Sequence, residues 1–234
     1  MTTSDMSTRV LEGLDEIDAG QAAPSAVYYG GGGEVLDALN EGLRFFCLLT
    51  LALETTVPFA LTPGGTFYHM RATYPDWLLP LRVKLTDGTR VRPARIEDLD
   101  ALDSGWQNSP GTPSRYCALG FDFFVIYKQL AGAGIVWITY ARAPVALASS
   151  SDVPEIPEAN HGDLVDYAIY KLRQKEGGGE FQKTLAYFNR FLDGAQRYGD
   201  YIRARNKDSG YDNEPFELAR FDRSKLMTVG ARGQ

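Results

Sequence analysis

The sequence predicts an α+β protein. N- and C-terminal helices form a helical bundle, a mostly antiparallel β-sheet or sandwich module is inserted between them, and a flexible tail follows. Three observations predict it. Apolar residues recur at helical spacing near both ends, in 34–54 and again in 164–205. The stretch from about Phe59 to Ala148 breaks instead into short β-branched and aromatic runs separated by Gly, Pro and Asp. Within it, RVKLTDGTRVR centres a hairpin turn on Asp87-Gly88. The boundaries that follow are 1–57 for the first helices, 58–150 for the β module, 151–206 for a C-terminal helical hairpin and 207–234 for an extended tail.

Taken in order, Ser7-Thr8 is a candidate cap for a short helix in which Val10, Leu11, Leu14 and Ile17 share a face. DAGQAAPSA and the run Gly30–Gly33 then read as a connector. Val35, Leu36, Leu39, Leu43, Phe46 and Cys47 give a long amphipathic helix, expected from Glu34 to about Glu54. Thr55-Thr56-Val57 and Pro58 should stop it. In the middle block, Leu81, Val83 and Leu85 alternate with Arg82 and Lys84, as in a strand with one wet face. Ala94–Leu102 reads as a brief helical insertion, and GWQNSPGTPSRY as a rigid loop. After the Pro154/Pro157-punctuated linker, Leu164, Val165, Ala168, Ile169 and Leu172 form a second stripe. EGGGE breaks it, and Leu185, Phe188, Phe191 and Leu192 continue to about Arg205. From about Asn206 the chain is polar and unpatterned, the composition of a segment that orders only on a partner.

The chemistry the sequence offers is sparse. Four glycines before a helix suggest a phosphate cradle, but Glu34 stands where a cradle needs Lys, so the run reads as a flexible joint. His69 and His161 lie in different modules, and Cys47 and Cys117 form no CxxC pair and read as buried thiols, so nothing points to a metal or cofactor. Asp98, Asp100 and Asp103 form one acidic cluster and Asp152, Glu155 and Glu158 another; helix capping or solvation suits both better than acid–base catalysis. Ser149–Ser151 reads as a linker. No GxSxG motif is present, and no constellation says enzyme.

A net charge of −6 argues against gripping nucleic acid by phosphate neutralisation. Arg82, Lys84, Arg90, Arg92 and Arg95 nevertheless gather around the hairpin, either as a solvated face or as a charged intersubunit or DNA-facing patch. No basic-then-apolar leader opens the chain, and FFCLLTLAL spans about half the length a membrane helix needs, so no membrane partner and a cytosolic assembly pool are expected.

One segment brings a family into view. Asp152–Tyr170, DVPEIPEANHGDLVDYAIY, followed by Lys183–Phe188 (KTLAYF) and Phe191-Leu192, resembles the C-terminal helical hairpin of bacteriophage head-to-tail adaptor proteins, the family that includes the tail tubular protein A of short-tailed phages. The order agrees elsewhere: Leu39–Arg44 (LNEGLR) resembles the family's N-terminal helix and Trp77–Lys84 (WLLPLRVK) its opening strand. Glu97–Asp100, Trp106 and Gly111–Tyr116 follow its acidic turn, and Ile135–Pro144 its last strand. The resemblance covers most of residues 28–200.

It implies a structural virion protein of the neck: a ring, typically of twelve copies, that docks under the portal protein, extends the channel through which genomic DNA passes, and offers a surface to the next tail or nozzle protein. The tail residues Tyr211, Phe216, Arg220, Phe221 and Arg223 are its candidate portal contacts. The competing reading is a non-viral module that binds carbohydrate or peptide through the aromatics Trp106, Tyr116, Phe123, Tyr127, Trp137 and Tyr140; strand alternation places about half of any strand's residues in the core, so most of these aromatics are expected to be packing.

Overall fold

A computed structural model describes residues 1–15, 33–176, 181–207 and 210–215. It divides into two compact units. One holds Met1–Thr50 and Ala146–Ile202, the other Leu51–Val145 and Arg203–Glu214.

The first unit is helical, with α1 (Thr3–Gly13), α2 (Glu34–Thr50), α5 (His161–Arg173) and most of α6 (Phe181–Asn206). The cap of α1 is Thr2, not Ser7-Thr8. Thr2 Oγ1 accepts from the Asp5 N–H at 3.2 Å, and Asp5 accepts in return from the Thr2 N–H at 2.8 Å. Two further N-terminal amides of α1, those of Thr3 and Ser4, donate to the carbonyls of Asp152 and Ser150. The serine tract is therefore an anchor for α1. Ile17 lies outside the described residues.

Helix α5 is the hub, and each neighbour reaches it through a glycine. A Cβ on Gly13 of α1 would lie 2.4 Å from Ile169. One on Gly42 of α2 would lie 2.8 Å from the Tyr167 ring, and one on Gly194 of α6 would lie 2.2 Å from the Asp163 carboxyl. Close approach lets aromatic rings interleave. Tyr167 and Phe191 centroids are 5.0 Å apart, Phe45 and Phe191 5.6 Å, and Tyr170 and Phe188 4.5 Å. Polar ties finish the packing: Glu41 accepts from Tyr167 Oη and Lys171 Nζ, and Arg190 meets Asp166 at 2.7 Å.

Helix α2 stops four residues earlier than its apolar pattern suggests. Leu51 turns the chain at φ +49°, and Glu54–Leu61 becomes strand β1, so the Thr-Thr-Val-Pro stretch joins the sheet. Pro58 is tolerated because β1 is an edge strand, bonded only to the strand Gly134–Arg142.

The second unit is one mixed, curled sheet of seven strands. With β2 (Phe67–His69), β3 (Trp77–Leu85), β4 (Arg90–Pro93), β5 (Arg115–Leu119), β6 (Phe123–Tyr127) and β7 (Gly134–Arg142), the order is β1-β7-β3-β4-β5-β6-β2. Every pairing is antiparallel except β4–β5, which is parallel and joined at two positions. The curl brings the two edges together: Phe59 of β1 stacks edge-on to Tyr68 of β2 at 5.2 Å. The inner face is filled by Trp77, Val83, Val91, Tyr116, Phe124, Ile138 and Tyr140. The hairpin at Asp87-Gly88 forms as expected, with Gly88 at φ +87° and Asp87 accepting from the Thr89 N–H. Short α3 (Met70–Thr73) links β2 to β3. The insertion α4 (Ile96–Leu102) lays Leu99, with Trp106, over Cys117, Val125 and Tyr127 on the outer face.

Candidate functional site

The outer face of the sheet around β4 and β5 carries the basic concentration. Val91 and Tyr116 point into the core, so alternation turns Arg92 and Arg115 outward. These two arginines are direct partners across the parallel β4–β5 pair, and Tyr127 is the partner of Arg115 on β6. Just upstream of that contact the strands diverge, with 89–91 on one side and 112–114 on the other. The gap is a groove of about 550 Å³ lined by Leu85, Arg90, Arg92, Leu102, Arg115 and Lys128 among others. Arg115 and Lys128 join the hairpin cations only through this non-local pairing. The cue in the sequence was Arg115 itself, at the mouth of a strand; its register was not readable. Arg95, by contrast, offers its backbone amide to Asp98 at the start of α4.

Residues 210–214 are fixed on the same unit. The Asp212 carboxylate, 1% exposed, is ion-paired with Arg90 and accepts from the Tyr116 hydroxyl at 2.7 Å; its amide donates to Leu81 O at 2.7 Å. Burial, reinforced by Asp212, drives the Tyr116 hydroxyl far above its ordinary range. Asn213 donates to Pro80 O, where β3 is irregular and its carbonyls are free to receive. Arg203 reaches Glu214 at 3.6 Å and Arg205 reaches Glu54 at 3.5 Å. The chain expected to hang free from about 206 is thus tied down at Asp212, Asn213 and Glu214. No hydrophobic stripe announces this, because polar groups make the attachment.

Of the candidate portal contacts, Tyr211 lies 5.2 Å from the Arg82 guanidinium of its own chain. Phe216, Arg220, Phe221 and Arg223 lie outside the described residues, as do Gly30–Gly32. Gly33 is described: it sits at φ +77° and its carbonyl accepts from Asp37, while Glu34 pairs with Lys175. Of the six sheet aromatics, Trp106, Tyr116, Tyr127 and Tyr140 are buried, whereas Phe123 and Trp137 are 44% and 45% exposed.

The acidic clusters act as caps and turn locks. Asp100 accepts from the Trp106 indole at 2.7 Å, and Asp103 takes Ser109 Oγ and the Gly105 amide. Asp152 binds Ser149 and the Ala148 amide. His161 is buried and donates Nε2–H to Ile156 O at 3.1 Å. Among the described residues no three of His, Cys, Asp and Glu gather as a metal site, and no helix is long and apolar enough to cross a membrane.

No curated protein matches the chain. A family model does: that of the SU10 adaptor protein aligns with residues 1–213, through all four long helices and the whole sheet, and the chain therefore belongs to this family of phage adaptor proteins.

Proposed function

We propose that the protein is the head-to-tail adaptor of a virion neck, similar to the tail tubular protein A group. Copies assemble as a ring of twelve that docks under the portal, continues the DNA channel and receives the next tail or nozzle protein. Residues 1–50 and 146–202 would supply the helical body of each subunit, and 51–145 its β module. The family match over residues 1–213 supports this reading. The net charge of −6 agrees with it, since a carboxylate-rich lining lets a duplex slide where a basic one would hold it. A structural role also suits an adaptor family and a molecule whose acidic clusters are spent on caps.

The portal contact is assigned to the end of the chain, with Phe216, Arg220, Phe221 and Arg223 as anchors. Tyr211 acts beside them by fixing where that segment leaves the sheet. Mixing the protein with its portal ring and counting copies by native mass spectrometry tests the assembly, and a binary complex without a ring would sink it. Deleting 216–234, which spares the 210–214 attachment, is expected to abolish portal binding with an unchanged melting curve; retained binding would refute the tail's role.

A further inference from the structure

Arg92 and Arg115 stand side by side on neighbouring strands, about 4.8 Å apart at the backbone. Like charges placed directly across strands repel. Among the described residues no carboxylate comes within ion-pair distance of Arg92 or Arg115; Lys128 lies over the Tyr127 ring and feels the charge of Asp103, whose oxygens are taken by Ser109 and Gly105. The groove around them is not wholly polar. Leu102, 53% exposed on α4, Leu85, Pro113 and Tyr127 form an apolar floor between the cations.

We propose that this groove docks an acidic peptide segment of a partner protein. An extended strand sets alternate side chains on one face about 7 Å apart. One carboxylate would be shared by Arg92 and Arg115 in fork-like hydrogen bonds, and a second would meet Lys128. The methylene stems of those two acidic side chains lie along Leu102 and Tyr127. Relief of the Arg92–Arg115 repulsion adds to the attraction.

The chemistry of the surroundings selects peptide over duplex DNA. A duplex carries a charge every ~1.7 Å and is held through several phosphate contacts at once. Here one of the four lining cations, Arg90, is committed to Asp212, and α4 beside the groove displays Glu97, Asp98 and Asp100. A long polyanion would run over those carboxylates, whereas a short peptide fills the groove and stops.

The inference does not rest on the portal reading, because the probe binds the isolated chain. Fluorescence anisotropy of the full-length protein is followed with a labelled peptide of three Glu-Leu repeats, with its Lys-Leu counterpart and with a 20-base-pair duplex. The Glu-Leu peptide is expected to bind with a Kd below roughly 100 μM at low salt, weakening steeply as salt screens it. Arg92→Gln with Arg115→Gln should weaken it at least tenfold, and Leu102→Ala by a few-fold, with circular dichroism melts unchanged. Absent binding, equal binding of the Lys-Leu peptide, tighter binding of the duplex, or indifference to the arginine pair would each overturn the proposal.

Discussion

Asp212 shows what one residue does when a polar segment must be held without a hydrophobic core. Its carboxylate is almost fully buried, while its partner Arg90 keeps 43% of its side chain in water. That asymmetry decides which loss hurts more. Arg90→Ala leaves an uncompensated buried carboxylate, for which about 3–5 kcal/mol is the usual penalty. Asp212→Ala leaves Arg90 free to turn to solvent and strands mainly the Tyr116 hydroxyl, about 1–3 kcal/mol. Arg90→Ala should therefore destabilise more than Asp212→Ala, and the double variant should cost less than the sum. Urea unfolding of the three variants checks it; equal and additive losses would mean that the pair is a solvated bridge.

At the scale of elements, the helical unit turns on close approach to α5. An exposed helical Gly→Ala ordinarily stabilises by up to about 1 kcal/mol. At Gly42 the sign should reverse. A methyl there meets Cδ1, Cγ and Cβ of Tyr167 at 2.8, 3.1 and 3.2 Å, and the base of a ring held by Glu41 and Phe191 cannot swing aside. Gly42→Ala should cost about 1–3 kcal/mol, whereas Gly162→Ala, with open space within 4 Å, should be neutral or stabilising. Thermal melts of the two separate close packing from propensity; similar shifts would remove the argument. The periodicity of α2, α5 and α6 was plain in the sequence because one apolar face per helix is a local property. The hub was not, since a glycine declares neither its neighbour nor its φ. β1 was misread because Thr-Thr-Val-Pro stops a helix and suits an edge strand equally well. The groove was half legible: Arg90 and Arg92 sit on a visible hairpin, but Arg115 and Lys128 reach them through a parallel pairing that spans some twenty intervening residues and carries no local signature. Asp212, 122 residues from Arg90, had no signature at all.

At the scale of the whole molecule, those carboxylates among the described residues whose titration is displaced divide into two sets with opposite responses to acid. Asp103 is held low by Ser109 and the Gly105 amide, Asp152 by Ser149 and the Ala148 amide, and Asp5 by Thr2. Burial alone would raise Glu41, yet the bonds from Lys171 and Tyr167 together hold it low. These groups contribute stability above the ordinary carboxylate range and lose it as pH falls through their lowered values. Asp163 and Asp166 on α5 behave the other way. Burial against α6 raises both, despite Asn160 and Arg197 beside Asp163 and Arg190 beside Asp166. The native state binds their protons more tightly than the unfolded chain, so stability is fullest at or below the unfolded value near 4 and declines as pH rises through their raised values. Lowering the pH from neutral through the raised values of Asp163 and Asp166 should therefore stabilise the helical unit slightly before the first set begins to protonate. Asp163→Asn with Asp166→Asn should flatten that interval and leave the steeper acid loss below about pH 4 intact. Calorimetric melts at half-unit steps read both limbs at once. If wild type and variant run parallel from neutral pH down to the ordinary carboxylate range, the two buried carboxylates do not govern the stability of the hub helix.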